Sequence, residues 1–303
     1  MISFIIPFMT VEKGKFLNLN EGFDYSDSSQ VVFSTIKAIK NINGLSCDKE
    51  IILVDNSHTW PDIELPNVKV VKGWQALPLE ELEKIPEFMN HRDIQLSLDN
   101  FGNDTMWASM AFHLGIQESK GEYVVLQHND VFYHKDCLDE MTKEIEQKDL
   151  QYISVDNKKI SIPTYLVHKK ILDKYIRKYK NQKITVKPHK GGYVQTREVG
   201  FADAYFFLSK RKFFDNYNVD WNYGDTNHGA TIYCLNKELK YSHLGPFYDN
   251  PNWETDHKLH TYFYKGEPFL SHLKGGFSEN KMTSKLFQSE ITHYLSELEN
   301  VQV

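Results

Sequence analysis

A histidine and an aspartate two residues apart, His128 and Asp130, close the apolar run Tyr123-Val124-Val125-Leu126-Gln127. A carboxylate is a hard oxygen ligand that suits Mg²⁺ or Mn²⁺, and an imidazole beside it shifts the preference towards Mn²⁺. On a strand, residues two apart face the same side, so His128 and Asp130 could converge on one cation. The plainer alternative is that Asp130 caps the following turn and His128 is a hydrogen-bonded rim residue. Asp55 and Asn56 end a second apolar run, Ile51-Ile52-Leu53-Val54. A carboxylate there can accept hydrogen bonds from ring N–H or hydroxyl groups, or simply close an Asx-turn. Asp203 sits in the apolar stretch Phe201-Ala202-Asp203-Ala204, and Asp225 stands at an expected helix start. Their plain alternatives are a buried ion pair and an N-cap. His243 ends an expected strand, and His257, His260 and His272 are further imidazoles that the sequence alone does not rank.

The elements that must position these residues alternate. Residues 2–7 read as a buried strand stopped at Pro7, and residues 8–27 as a polar loop. A helix follows from Ser28 to about Asn43, with Gly44 at its stop. Strands are expected at 50–54, 68–71 and 121–126, and helices at 104–118 and about 135–148. Beyond that, 151–168 has β character, 170–182 reads as a basic amphipathic helix, and 183–197, with Pro188, Gly191 and Gly192, as a mobile basic loop. A strand at 201–208, short helix at 210–216, helix at 226–238, strand at 239–243 and tail helix at 281–300 complete the pattern. Strands alternating with helices imply a mainly parallel sheet with right-handed crossovers. Ligands of such sheets bind outside the carboxyl ends of the strands, where Asp55 and Asp130 both stand.

Composition narrows the classes. Of 303 residues, 35 are Lys or Arg and 41 Asp or Glu, a net charge of -6. That balance speaks against a nucleic-acid binder, which carries a basic patch. Cys47, Cys137 and Cys234 are far apart with no CxxC pair, which argues against a disulfide framework or zinc knuckle and for a reducing, cytoplasmic setting. The start Met1-Ile2-Ser3-Phe4-Ile5-Ile6-Pro7 reads as a strand and not as a leader. No window holds about 18 uninterrupted apolar residues, which leaves peripheral contact with the inner face of a membrane as the expected form of membrane association.

Three segments in order resemble family-2-like glycosyltransferases of the GT-A fold: Phe4-Ile5-Ile6-Pro7, Ile51-Ile52-Leu53-Val54-Asp55-Asn56-Ser57, and the block Gly115 to Asp130 with its helix end, Gly121-Glu122-Tyr123 turn and strand. Gly224-Asp225 with the following helix and Leu239–His243 is a looser fourth match to that family's Glu-Asp element. The chain departs from the pattern where His128 replaces the first acidic residue of the Asp-x-Asp triplet, and where Gly224 replaces the Glu of the Glu-Asp pair.

The resemblance implies an α/β GT-A catalytic domain over 1–245 with a mainly parallel central sheet flanked by helices. Residues 1–148 form its nucleotide-sugar half and 149–245 its acceptor side, followed by a helical C-terminal extension at 246–303. It implies a hexosyltransferase-type enzyme moving a sugar from a UDP- or GDP-linked donor to a hydroxyl of a glycan, lipid-linked or small acceptor, with inversion, in cell-surface polysaccharide assembly. Pro7, Asp55, Asn56, His128 and Asp130 would then bind the donor. His128, Asp130 and His243 would hold a divalent cation, Mn²⁺ or Mg²⁺, and Asp225, with Asp203 in reserve, would act as the base that takes the acceptor proton. Lysines of 183–190 could cover the pyrophosphate, and Trp74, Trp221 and Trp253 could stack on sugar rings. Two rival classes are a sugar-phosphate nucleotidyltransferase and a non-catalytic nucleotide-sugar-binding or carbohydrate-binding relative.

Overall fold

The computed structural model describes residues 1–8, 28–56, 60–73, 103–163, 185–189, 192–217, 228–244 and 260–272. Its core is a mixed sheet in the order β3-β2-β1-β4-β8-β6-β9, with β7 paired to β8. The strands are β1 (Ile2–Phe8), β2 (Lys49–Asp55), β3 (Val68–Lys72), β4 (Tyr123–Gln127), β6 (Leu150–Pro163), β7 (Thr185–His189), β8 (Gly192–Lys210) and β9 (Lys240–His243). The half from β3 to β4 is parallel throughout, as the alternating pattern implied. On its other side β4 meets β8 antiparallel.

The helices α1 (Ser28–Asn43), α2 (Asn103–Glu118), α3 (Leu138–Lys148) and α4 (His228–Lys237) cover both faces. Successive strand residues point to opposite faces, and the buried clusters divide accordingly. Phe4, Ile6, Phe8, Leu53 and Val125 pack with Val31, Ile39 and Ile42 of α1 and with Leu138, Met141 and Ile145 of α3. Ile5, Ile52, Val54, Val124 and Leu126 pack with Ala111 and Phe112 of α2 and with Ala230 and Cys234 of α4. Each Val, Ile, Leu, Phe or Met side chain among them contributes about 1.5–3 kcal/mol on full burial. No described helix is long and apolar enough to cross a membrane.

Three details differ from the sequence expectations. β1 runs through Pro7 to Phe8 and does not stop at it. Its pairing with β4 ends at Ile5 while its pairing with β2 continues to Asp55, so a proline without an N–H is tolerated where one flank is already open. Residues 185–189 and 192–197, expected as loop, form a hairpin in which Pro188 stands opposite Tyr193. In the expected helical extension, the described residues are a hairpin, β10 (His260–Tyr264) and β11 (Glu267–His272), which joins β5 (Val131–Tyr133) in a second, three-stranded sheet. Tyr262, Tyr264, Phe269 and Leu270 bury this hairpin against the core. The expected helices at 170–182 and 281–300 lie outside the described residues.

Two glycines of the Gly115–Asp130 block are required by close approach. A Cβ on Gly115 would lie 2.2 Å from Ile5 Cγ2, where α2 crosses the sheet. A Cβ on Gly121 would lie 2.7 Å from the Ser3 backbone N, and the Gly121 N–H donates to Ser3 Oγ at 2.7 Å. Backbone cannot yield as a side-chain end can, so Gly121→Val is expected to lose about 1–3 kcal/mol, the usual cost of overpacking. Chemical denaturation checks this, and a variant as stable as the parent contradicts the packing described.

Candidate metal and donor site

The carboxyl ends of β1, β2 and β4 share one edge of the sheet. Asp55 ends β2 opposite Phe8, and the chain of β4 passes through His128 to Asp130. β1 lies between the two strands, so they stand about 10 Å apart by the usual spacing. Asp55 is fully buried at 0% exposure. Its Oδ2 accepts from the Trp60 N–H at 3.0 Å and from Lys72 Nζ at 3.0 Å, with Lys72 itself 58% exposed. Trp60 stands edge-on to Phe8 at 4.9 Å. Asn56 continues the edge, donating its N–H to the Phe8 carbonyl at 2.9 Å. Pro7 is half-buried beside Val54.

At the β4 end, one ligand atom from each of His128, Asp130 and His272 lies within 4.8 Å of the others. The third residue arrives by strand pairing: β11 runs antiparallel to β5, and His272 sits opposite Val131, next to Asp130. His272 Nε2 lies 3.2 Å from Asp130 Oδ1, yet among the described residues Asp130 Oδ1 has no aligned hydrogen-bond donor. Two ligands at about 2.1 Å from one cation and at right angles to each other stand about 3 Å apart, so this spacing fits a shared ion. Asp130 is 6% exposed and His272 3%. Burial pushes the Asp130 carboxyl up, but His272 beside it, with His128 adding, outweighs burial and holds it below the usual carboxylate range. A buried carboxylate kept charged, with an orphaned oxygen, has the character of a cation ligand.

Polar contacts hold this corner in place. Asn41 of α1 accepts the Tyr133 N–H at 2.7 Å and donates to the Tyr133 carbonyl at 3.0 Å, which pins β5. The Tyr133 hydroxyl donates to Gln127 Oε1 at 2.5 Å, and Asn129 Nδ2 donates to Thr35 Oγ1 at 2.9 Å. Ser271 bonds both His134 and Thr261 at 2.7 Å.

His243, the third ligand that the resemblance implied, is not brought to this group. His243 ends β9, three strands from β4 in the sheet order, or about 14 Å away by strand spacing. Its ring packs 5.3 Å from Tyr241 and 6.0 Å from Tyr152. It stands outside the His128–Asp130–His272 group. Nothing local in the sequence favoured His272 over His257 or His260, because the signal is a pairing across more than a hundred residues. Asp203 lies on β8, and His260 begins β10. Asp225, His257, Trp74, Trp221 and Trp253 lie outside the described residues. Cys47, Cys137 and Cys234 are free and buried. Burial pushes the Cys47 thiol up to about 11 and that of Cys234 to about 12, so neither is poised as a nucleophile.

Residues 82–217 match glycosyl transferase family 2. The match bears out the family-2 resemblance, and with the sheet and helices described above the fold is GT-A. It includes the Gly115–Asp130 block and Asp203, while Asp55 and His272 fall outside it. The chain has no match among curated protein sequences. Among solved structures it is similar to the mannosyltransferase PcManGT from Pyrobaculum calidifontis in complex with GDP-Man and Mn²⁺, at 11% identity and a TM-score of 0.41, over 81% of this chain and 54% of that one. It is similar to M. tuberculosis glucosyl-3-phosphoglycerate synthase at 13% identity and a TM-score of 0.39, over 80% and 69%. It is also similar to S. aureus TarS 1-349 in complex with UDP-GlcNAc at 12% identity and a TM-score of 0.28, over 52% and 34%. The chain therefore spans about half the length of the mannosyltransferase and about a third of the TarS chain. The candidate site rests on this chain's own geometry.

His243 generates a separate expectation. Burial pushes its imidazole down to about 4, and its Nε2 has no hydrogen-bond partner among the described residues. The folded protein resists protonating it, whereas the unfolded chain protonates near 6.5. Its contribution is therefore complete above pH 6.5 and is lost as pH falls towards 4, by at most about 3 kcal/mol. Urea unfolding between pH 7 and 4 is expected to show a shallower loss for His243→Leu than for the parent; equal slopes contradict it.

Proposed function

We propose that this chain transfers a sugar from a nucleoside-diphosphate sugar to a hydroxyl acceptor, assisted by a divalent cation held by His128, Asp130 and His272. The observation that carries this reading is the buried, charged Asp130 with an orphaned oxygen beside two imidazoles, at the carboxyl edge of a GT-A sheet. The cation, when bound, neutralises the departing diphosphate as a Lewis acid. Two nitrogen donors against one oxygen favour Mn²⁺ over Mg²⁺, which prefers an all-oxygen shell.

In the same reading, Asp130 offers the cation a charged oxygen, and His272 and His128 each offer it a ring nitrogen. Asp55, Asn56 and Pro7 line the nucleoside end of the donor, about two strand spacings away. Asp55 accepts from the base or ribose once Lys72, 58% exposed, swings off Oδ2. Asp225, with Asp203 in reserve, takes the acceptor proton, and the reaction inverts the anomeric centre. The acceptor is a glycan, a lipid-linked glycan or a small hydroxyl compound, and the setting is cell-surface polysaccharide assembly at the cytoplasmic face of a membrane.

A panel of UDP- and GDP-sugars, incubated with and without Mn²⁺, tests the proposal through release of free nucleoside diphosphate. Loss of an outer-shell partner of a metal costs roughly 10–100-fold. Asp130→Asn and His272→Ala, which remove ligands, are expected to lose at least that much of the Mn²⁺-dependent release. Release that is independent of Mn²⁺ and equal in Asp130→Asn contradicts the metal-assisted reading. Donor binding without turnover, in the presence of glycan and small hydroxyl acceptors, points instead to a non-catalytic binding protein.

A further inference from the structure

A metal-bound histidine ordinarily donates its second ring nitrogen to a carboxylate, carbonyl or water, and that bond fixes the plane of the ring. His272 lacks one. Its Nε2 points at Asp130 Oδ1, 3.2 Å away, and its Nδ1 is buried with no hydrogen-bond partner among the described residues. An imidazole without such a bond is free to turn about its Cβ–Cγ axis unless something else holds it, because terminal torsions onto flat rings have broad minima.

The missing constraint is supplied by a ring. Tyr205, on β8, lies with its ring centroid 3.7 Å from that of His272 and its plane 21° away, a stacked pair. The same tyrosine meets His128 edge-on, at 5.0 Å and 85°. The two imidazoles are 5.6 Å apart at 70°, so one side chain touches both nitrogen ligands and sets the angle between them. Stacked and edge-on aromatic pairs contribute beyond the area they bury, and both contacts constrain torsion more than position. Tyr205 is half-buried, and Phe206, the next residue along β8, packs edge-on to Phe269 of β11, so the strand that carries Tyr205 is itself anchored to the hairpin that carries His272.

We propose that Tyr205 is the positioning residue of this metal centre: its ring, and not its hydroxyl, orients His272 and His128 towards one cation. The proposal rests on the cation reading of His128, Asp130 and His272, and it adds a residue that does not itself ligate.

The test is Mn²⁺ affinity of the full chain, read as loss of the free-ion signal in electron paramagnetic resonance with no nucleotide present. Tyr205→Phe is expected to bind Mn²⁺ within about twofold of the parent, whereas Tyr205→Leu and Tyr205→Met bind about 10–100-fold more weakly, the range for loss of a residue that orients a ligand. Thermal unfolding is measured alongside. Equal affinity in the parent, Leu and Met variants overturns the proposal. So does a weakened Phe variant, which would transfer the role to the hydroxyl. Failure of both Leu and Met variants to fold would make Tyr205 a core residue and overturns it as well. A parent chain that does not bind Mn²⁺ at all removes the metal reading itself, which separates the two claims.

Discussion

The antiparallel pairing of β11 with the three-residue β5 sets His272 opposite Val131, one residue from Asp130. Much of the site depends on that register. A carboxylate taken out of water and left unpaired costs several kcal/mol, and Asp130 is buried as β4 gives way to β5. The hairpin supplies the compensating imidazole in the same step that covers the carboxylate. A slip of one residue in this pairing would turn His272 to the other face and leave Asp130 buried without it. β5 is too short to hold its own place, and the two Asn41 bonds to Tyr133 fasten it to α1 from the side opposite β11.

The same edge of the sheet is opened by an ending. β4 leaves β1 after Ile5, while β2 stays paired to β1 as far as Asp55. The gap between the ends of β1 and β4 is where the chain after Gln127 turns towards β5. Pro7 fits there because the flank that would have used its N–H is vacant. Asp55 is handled differently from Asp130. Its charge is balanced at once, by Lys72 and the Trp60 N–H, whereas Asp130 keeps an oxygen with no aligned donor. Among the described residues, the two carboxylates on one edge differ: Asp55 is satisfied and Asp130 Oδ1 is not.

How much of this was legible follows from the range of each signal. The buried strands around Ile5, Ile52 and Val125 are short apolar runs bounded by polar turns, and the chain alone identifies them. His128 and Asp130 are readable because their spacing and their place after a strand are local facts, and Gly115 and Gly121 belong to the same block. His272 was visible only as one of several histidines. Its own strand, Glu267–His272, contains a proline and a single buried Phe-Leu pair, so it carries little strand signal, and its value lies in contact with residues some 140 positions earlier. His243 was implied by the family resemblance at the end of a strand, and that strand lies at the far side of the sheet. Residues 183–197 read as loop because Pro188, Gly191, Gly192 and lysines are breakers or solvated groups, yet pairing along β8 overrides that preference.

The central claim is that His128, Asp130 and His272 share one cation, and crystals grown with Mn²⁺ test it most directly. An anomalous difference map collected at the manganese edge is predicted to show a single strong peak within about 2.3 Å of a nitrogen from each histidine and an oxygen of Asp130. A map with no peak there, or with manganese bound at Asp55 or His243 instead, would contradict the account.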